Sequence, residues 1–264
     1  YPSRFFDVGI AEGHAVTMAS AMAKQGLTPV FAVYSSFLQR SYDMLIHDAA
    51  LQHLHVVLCV DRAGIVGNDG DTHNGCFDVA FLRTVPGMTV LCPASFRELS
   101  AMLRKAVLEC DGPVAVRYPR GGEGDYQDCH TEPATVLREG KDVTIVTYGV
   151  NVNEALAAAD LLSQQGVSAE IIKLGRVLPL DAAPIMQSLS KTGRLITLEE
   201  VCSTGSVGEE LLRLAEEQGL ALGGYRLLNL GDGIVPHGDV EVLRQHYGLD
   251  AKSVADTAMA LVKE

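Results

Sequence analysis

Residues 55–78 read HVVLCVDRAGIVGNDGDTHNGCFD. The run at 56–60 is apolar throughout and cannot alternate between core and solvent. It therefore predicts a strand over 55–61 that is buried on both faces, as strands inside a parallel sheet are. The loop that follows, 61–78, holds four glycines, four aspartates, one arginine and one histidine. A long, glycine-dense loop after a buried strand is where backbone bends close to a ligand. A plain loop has no need of His73.

Working outward, short Val-rich runs at 30–34, 88–92 and 114–118 read as further strands, and helical spacing fills the intervals. After Tyr34, the residues Leu38, Tyr42, Leu45, Ile46 and Ala49 recur at three and four, which predicts one apolar helical stripe. The segment 12–24 does the same with Ala15, Met18, Ala19, Met22 and Ala23, side chains small enough for close approach to a neighbour. The pattern stops at GGEGDYQDCHTEP, residues 121–133, a turn-rich, charged stretch that reads as a linker or crossing loop. Strand-like runs resume at 143–147, 170–174, 194–198 and 225–230, with helical patterns at 151–165, 206–218, 240–247 and 251–262. Strand-helix alternation of this kind implies two consecutive α/β units with mostly parallel sheets, placed at 1–125 and 134–264. No sequence repeat relates them.

Composition narrows the functional classes. The 264 residues carry 21 Lys+Arg against 33 Asp+Glu, a formal charge of −12. Binding to nucleic-acid backbones needs a basic surface, and no Lys/Arg run supplies one. No apolar stretch approaches the roughly 20 residues of a membrane span. The six cysteines, at 59, 76, 92, 110, 129 and 202, form no CxxC pair, which favours a reducing, cytoplasmic setting.

Three other stretches carry chemistry-bearing side chains. In DVGIAEGHAV, residues 7–16, an apolar strand is expected to end and a helix to begin with Glu12 in its first turn. Such a carboxylate is either a helix cap favoured by the dipole or a ligand-facing group at a strand's carboxyl end. VYSSFLQRSYD, residues 33–43, sets Tyr34, Phe37 and Arg40 at the next junction, the aromatics reading equally as core. VRYPRGG, residues 116–122, brings Arg117 and Arg120 to another strand end. Arginines at sheet ends of so acidic a chain make either an anion site or surface ion pairs. Two further motifs carry less. Gly231-Asp232-Gly233 reads as a turn, and His53-x-His55 lacks a third ligand nearby, so no metal is expected there.

Together, FFDVGIAEGHAV, VYSSFLQRSYDMLIHDAALQ, VDRAGIVGNDGDTHNGCFD and VRYPRG, in this order and spacing, resemble the pyrimidine-binding domain of the 1-deoxy-D-xylulose-5-phosphate synthases. These are transketolase-like thiamine diphosphate enzymes, and the second unit resembles the transketolase C-terminal domain. The resemblance implies a Mg²⁺- and thiamine diphosphate-dependent transferase of isoprenoid and thiamine precursor synthesis. It would condense pyruvate with D-glyceraldehyde 3-phosphate, releasing carbon dioxide, as a cytoplasmic homodimer. By the same resemblance, Glu12 bonds the pyrimidine ring nitrogen and favours the imino tautomer, and Phe37 stacks on the ring. His73 lies near the reacting carbon as a proton handler, and Tyr34, Arg40, Arg62, Asp69 and Arg120 line the substrate pocket.

Two departures stand out. Where the family usually has Glu-Gln-His, this chain has Glu12-Gly13-His14, so altered packing with retained chemistry is expected. The family's N-terminal domain, which carries the diphosphate and Mg²⁺ site, is not among these residues. The chain opens at Tyr1 in an apolar segment and is expected to be a piece or subunit of something larger, inactive alone. A subunit of a split transketolase-like enzyme and a non-catalytic interaction module are the alternatives.

Overall fold

The computed structural model describes residues 1–264. Its first sheet is built from β1 (Val30–Tyr34), β2 (Val57–Asp61), β3 (Thr89–Leu91) and β4 (Val114–Arg117), in the order β1-β2-β4-β3 and parallel throughout. Its second is built on β6 (Val143–Tyr148), with β7 (Ala169–Leu174) on one side and β9 (Arg194–Leu198) then β10 (Gly224–Leu228) on the other, again parallel. The two antiparallel strands are both at edges. β5 (Ala134–Arg138) closes the second sheet against β7, and β8 (Arg176–Leu178), from the second half of the chain, closes the first against β3. The expected α/β pair of mostly parallel sheets is thus present, with one strand exchanged between the halves.

Burial explains why these segments are strands. Val56, Val57, Leu58 and Val60 are inaccessible, as are Val114, Ala115 and Val116, so both faces of the central strands meet helices. α1 (Glu12–Lys24) turns Ala15, Val16, Ala19 and Ser20 inward, while Met18 and Met22, expected on the buried stripe, lie at its flank. In the first half α2 (Asp78–Leu82) and α3 (Phe96–Leu108) complete the packing. In the second half α4 (Val152–Gln164), α5 (Ala183–Thr192), α6 (Val207–Glu217), α7 (Val240–His246) and α8 (Ala251–Lys263) do so. Ser95 and Ser206 cap α3 and α6 through their hydroxyls.

Two local expectations are corrected and a third is refined. Residues 5–10 form no strand: Phe5, Phe6 and Ile10 are exposed, because no neighbouring strand pairs with them. The stripe after Tyr34 is not one regular helix. Residues 35–50 tighten to a 3₁₀ turn at Gln39–Ser41 and widen to a π turn at Leu45–Ala50, which keeps Leu38, Leu45 and Ala49 buried together. The 121–133 stretch has no regular structure but is strapped down. Tyr126 donates to Glu98 at 2.7 Å, and Lys173, from β7, donates to the His130 carbonyl at 2.7 Å and pairs with Glu98 at 2.9 Å.

Candidate functional site

The carboxyl ends of β1, β2 and β4 converge on one edge of the first sheet, and each delivers side chains there. β1 ends on Tyr34, and the helical segment begins at once, so Phe37 and Arg40 follow within two turns. β2 ends on Asp61, after which the chain turns sharply: Arg62 has φ +59°, a conformation few non-glycine residues adopt. The Asp61 carboxylate holds that turn, accepting from the Arg62 amide at 2.7 Å and from its guanidinium at 2.8 Å.

Seven of the eight sequence-predicted residues form one unbroken row, and the eighth, His73, packs against it. The Glu12 carboxylate, only 7% exposed at the start of α1, accepts from Arg40 Nη1 at 3.0 Å. The Arg40 guanidinium lies over the Phe37 ring, 5.2 Å from its centroid. Phe37 stacks on Tyr34 at 5.4 Å with 22° between the planes, and the Arg62 guanidinium covers Tyr34 at 3.8 Å. Arg62 then donates to Asp69 at 3.0 Å, and the same Asp69 oxygen faces Arg120 Nε at 3.4 Å. His73 sets its ring edgewise to Phe37, 5.2 Å between centroids, with Nδ1 2.9 Å from the Thr72 hydroxyl. Burial disfavours the Arg62 cation, yet its bond to Asp69 and the Asp61 charge prevail, so its pKa stands above the usual arginine value. Arg62 and Arg120 also border a cavity of about 260 Å³ whose lining mixes Phe96, Leu99 and Val150 with Asp61, Ser95 and Glu123.

Glycines make the 61–78 loop possible. A Cβ on Gly75 would stand 2.3 Å from the Arg62 carbonyl oxygen, where the Gly64 and Gly75 backbones exchange hydrogen bonds of 2.9 and 2.8 Å. A Cβ on Gly64, at φ +78°, would meet a Glu200 carboxylate oxygen at 2.4 Å, a distance no side chain survives unless Glu200 moves. The departure at Gly13 is also accounted for: the Met44 methyl sits 2.9 Å from where its Cβ would be and fills the space beside Glu12.

Arg117, together with residues that sequence reading did not single out, fastens this loop to the second half. Glu200 accepts from the Ile65 amide at 3.0 Å and from Arg244 at 2.7 Å. Asn74 accepts from the Val66 amide at 3.0 Å and donates to the Val235 carbonyl at 3.1 Å. Arg117 donates to Asp78 at 2.9 Å and to the Glu200 carbonyl at 3.2 Å, all three groups being buried. The one available signal was the Glu199-Glu200 pair directly after an apolar strand, a costly place for carboxylates unless they are bonded. The two sequence motifs set aside above have structural roles. His55 bonds the Ala106 carbonyl at 2.8 Å, and Asp232 accepts from the Thr204 amide at 2.9 Å.

Two mostly parallel sheets with helices packed on them, one strand exchanged between the halves, define an α/β class of protein, here with a carboxylate, aromatic rings and arginines at the strand ends of the first sheet. The family description "Transketolase, pyrimidine binding domain" matches residues 1–122, and "Transketolase, C-terminal domain" matches residues 132–254. The chain belongs to the transketolase family. Within it, the chain is 48% identical over 267 aligned residues to the 1-deoxy-D-xylulose-5-phosphate synthase of Heliobacterium modesticaldum, covering 99% of this chain and 41% of that protein. It is 44% identical over 268 residues to the synthase of Thermomicrobium roseum, covering 99% of this chain and 42% of that protein. The chain therefore spans about two fifths of the length of these relatives. A solved chain described as a split gene transketolase in an inactive beta4 tetramer aligns with a TM-score of 0.90 at 28% identity, over 99% of this chain and 85% of that one.

The residues fit the pyrimidine half of thiamine diphosphate. A nearly buried carboxylate with a single side-chain partner suits a ring nitrogen that carries a proton, and an adjacent phenyl ring suits stacking. No three His, Cys, Asp or Glu side chains come together as a metal cluster.

Proposed function

We propose that this chain forms the pyrimidine-binding and C-terminal portion of a thiamine diphosphate-dependent transferase joining pyruvate to D-glyceraldehyde 3-phosphate, with 1-deoxy-D-xylulose 5-phosphate and carbon dioxide as products. The observation that carries the reading is the continuous row Glu12, Arg40, Phe37, Tyr34, Arg62, Asp69, Arg120, with His73 against its aromatic centre. The synthase relatives supply the reaction by analogy.

When bound, thiamine diphosphate supplies a nucleophilic carbon and an electron sink for decarboxylation. The chain's own residues do the rest. Glu12 holds a proton at the pyrimidine ring nitrogen and so sets the tautomer. Phe37 fixes the plane of that ring. His73, edgewise to Phe37 and half-exposed, reaches the reacting centre to donate or accept a proton. Arg62 and Arg120 bind the phosphate and carboxylate of the substrates, each an acceptor of bidentate geometry, and Asp69 spaces the two guanidiniums when no anion separates them. Mg²⁺ and the diphosphate fall to the domain outside these residues, in the same chain or a partner, so the chain alone does not turn over. Homodimer formation and a cytoplasmic setting belong to the same proposal; all six thiols are unpaired.

The test is carbon dioxide release from labelled pyruvate by the complete gene product with thiamine diphosphate and Mg²⁺, with and without glyceraldehyde 3-phosphate. Release promoted by the aldehyde, with deoxyxylulose phosphate formed, supports the reading. Two-carbon transfer from a ketose phosphate instead moves the assignment to a transketolase. That second reading has the split gene transketolase chain in its favour. Turnover by the 264-residue chain alone refutes the division of the site.

A further inference from the structure

We infer that Arg40 is a built-in competitor for the pyrimidine position: one guanidinium engages both groups that the proposed cofactor ring requires, so cofactor binding is an exchange and not a simple docking. The inference rests on the pyrimidine reading above. Arg40 Nη1 donates to Glu12 Oε1 at 3.0 Å, and the Arg40 guanidinium carbon lies over the Phe37 ring at 5.2 Å. Tyr34 stacks on Phe37 at 5.4 Å and the Arg40 guanidinium lies over it at 5.2 Å, while His73 approaches edgewise at 65°. The contacts run Arg62, Tyr34, Phe37, Arg40, and a pyrimidine stacking where Arg40 lies meets the guanidinium first.

Something must leave, and these contacts show which member. Tyr34 is half-buried and covered by Arg62, which is itself held by Asp61 and Asp69. Arg40 has a side chain 58% exposed, a long stem and a single hydrogen-bond partner. Its departure frees the carboxylate and the ring face in one movement. Until then it serves a purpose, because a carboxylate 9% exposed at the side chain with no partner is costly.

The experiment is isothermal titration of thiamine diphosphate, with Mg²⁺ present, into the complete gene product. Wild type is compared with Arg40→Met, Arg40→Lys, Glu12→Gln and the Arg40→Met/Glu12→Gln double variant. Arg40→Met is expected to bind about three- to thirtyfold tighter, the combined size of one exposed ion pair and one cation–π contact. Arg40→Lys, keeping the charge and losing the planar fork, falls between. In the Glu12→Gln background the gain shrinks, because the ion pair is already gone. The wild-type to Arg40→Met ratio narrows as salt is raised, since salt screens the pair. Equal or weaker binding by Arg40→Met overturns the exchange. If Glu12→Gln nevertheless weakens binding, the pyrimidine reading survives that failure; if Glu12→Gln is also without effect, both fall.

Discussion

Replacing Arg117 by Met should destabilise the protein strongly while leaving the proposed ligand-binding row intact. Arg117 is the last residue of β4, and its Nε donates to Asp78 Oδ2 at 2.9 Å, where the side chains are 7% and 0% exposed. Its Nη2 reaches across to the Glu200 carbonyl at 3.2 Å, so one side chain ties the end of the glycine-dense loop to the second half of the molecule. Burial alone would lower the Arg117 pKa, but the Asp78 charge outweighs it, and the pKa is raised. With the guanidinium gone, Asp78 keeps only the Val79 amide, at 2.8 Å, as a partner for a fully buried charge. Breaking a buried pair from one side costs about 3–5 kcal/mol. For a chain of this size that lowers Tm by roughly 6–20 °C, read by scanning calorimetry. Removing both charges, as Arg117→Met with Asp78→Leu, leaves no orphan and should recover most of the loss. A single variant shifted by less than about 2 °C, or a double variant worse than either single, would refute the reasoning.

Arg120→Met should raise KM for the phosphorylated aldehyde about 10–100-fold, the loss of one charge-assisted contact, with a smaller effect on kcat; a pure kcat effect removes Arg120 from substrate binding. Burial pushes the Cys76 and Cys92 thiols up to about 12, so at mildly alkaline pH they stay protonated. Ellman's reagent should label exposed Cys129 promptly and those two only on unfolding, and early labelling of either contradicts their burial. Burial also raises the Glu199 pKa above its unfolded value, so the folded state retains a proton the unfolded state releases. Its stabilising contribution is full below the unfolded pKa of about 4.3 and is lost as pH rises through the folded value. Glu199→Gln should flatten that decline in denaturant midpoints, and an unchanged slope would assign it to another group.

Much of this was legible in the sequence because it is local. The central strands announce themselves as runs apolar on both faces, and Tyr34, Phe37 and Arg40 lie within seven residues of one junction. The loop 61–78 betrays its close approaches by Gly64 and Gly75, which have no room for a Cβ. What escaped is carried by partners far apart in the chain. β8 reads as nothing in particular until β3 is beside it, and residues 5–10, apolar enough for a strand, have no strand to pair with. The 121–133 stretch has the composition of a loose linker, yet Glu98 and Lys173, buried and 75 positions apart, clamp it from both sides.

The same distinction separates what Arg40 could be from what it does. Read in sequence, an arginine at a strand end suits an anion site or a surface ion pair equally. Both of its contacts here precede it in the chain, at very different separations: Glu12, 28 residues back on α1, and Phe37, three residues back on its own segment. Only the packing of α1 against residues 35–50 brings the carboxylate and the ring to one guanidinium. Residues 35–50 hold this position through a 3₁₀ turn at Gln39–Ser41 and a π turn at Leu45–Ala50, not through the regular helix that periodicity suggested. The irregular backbone places Arg40 at the meeting point, and departure from the regular pattern marks the proposed functional position more sharply than residue type does.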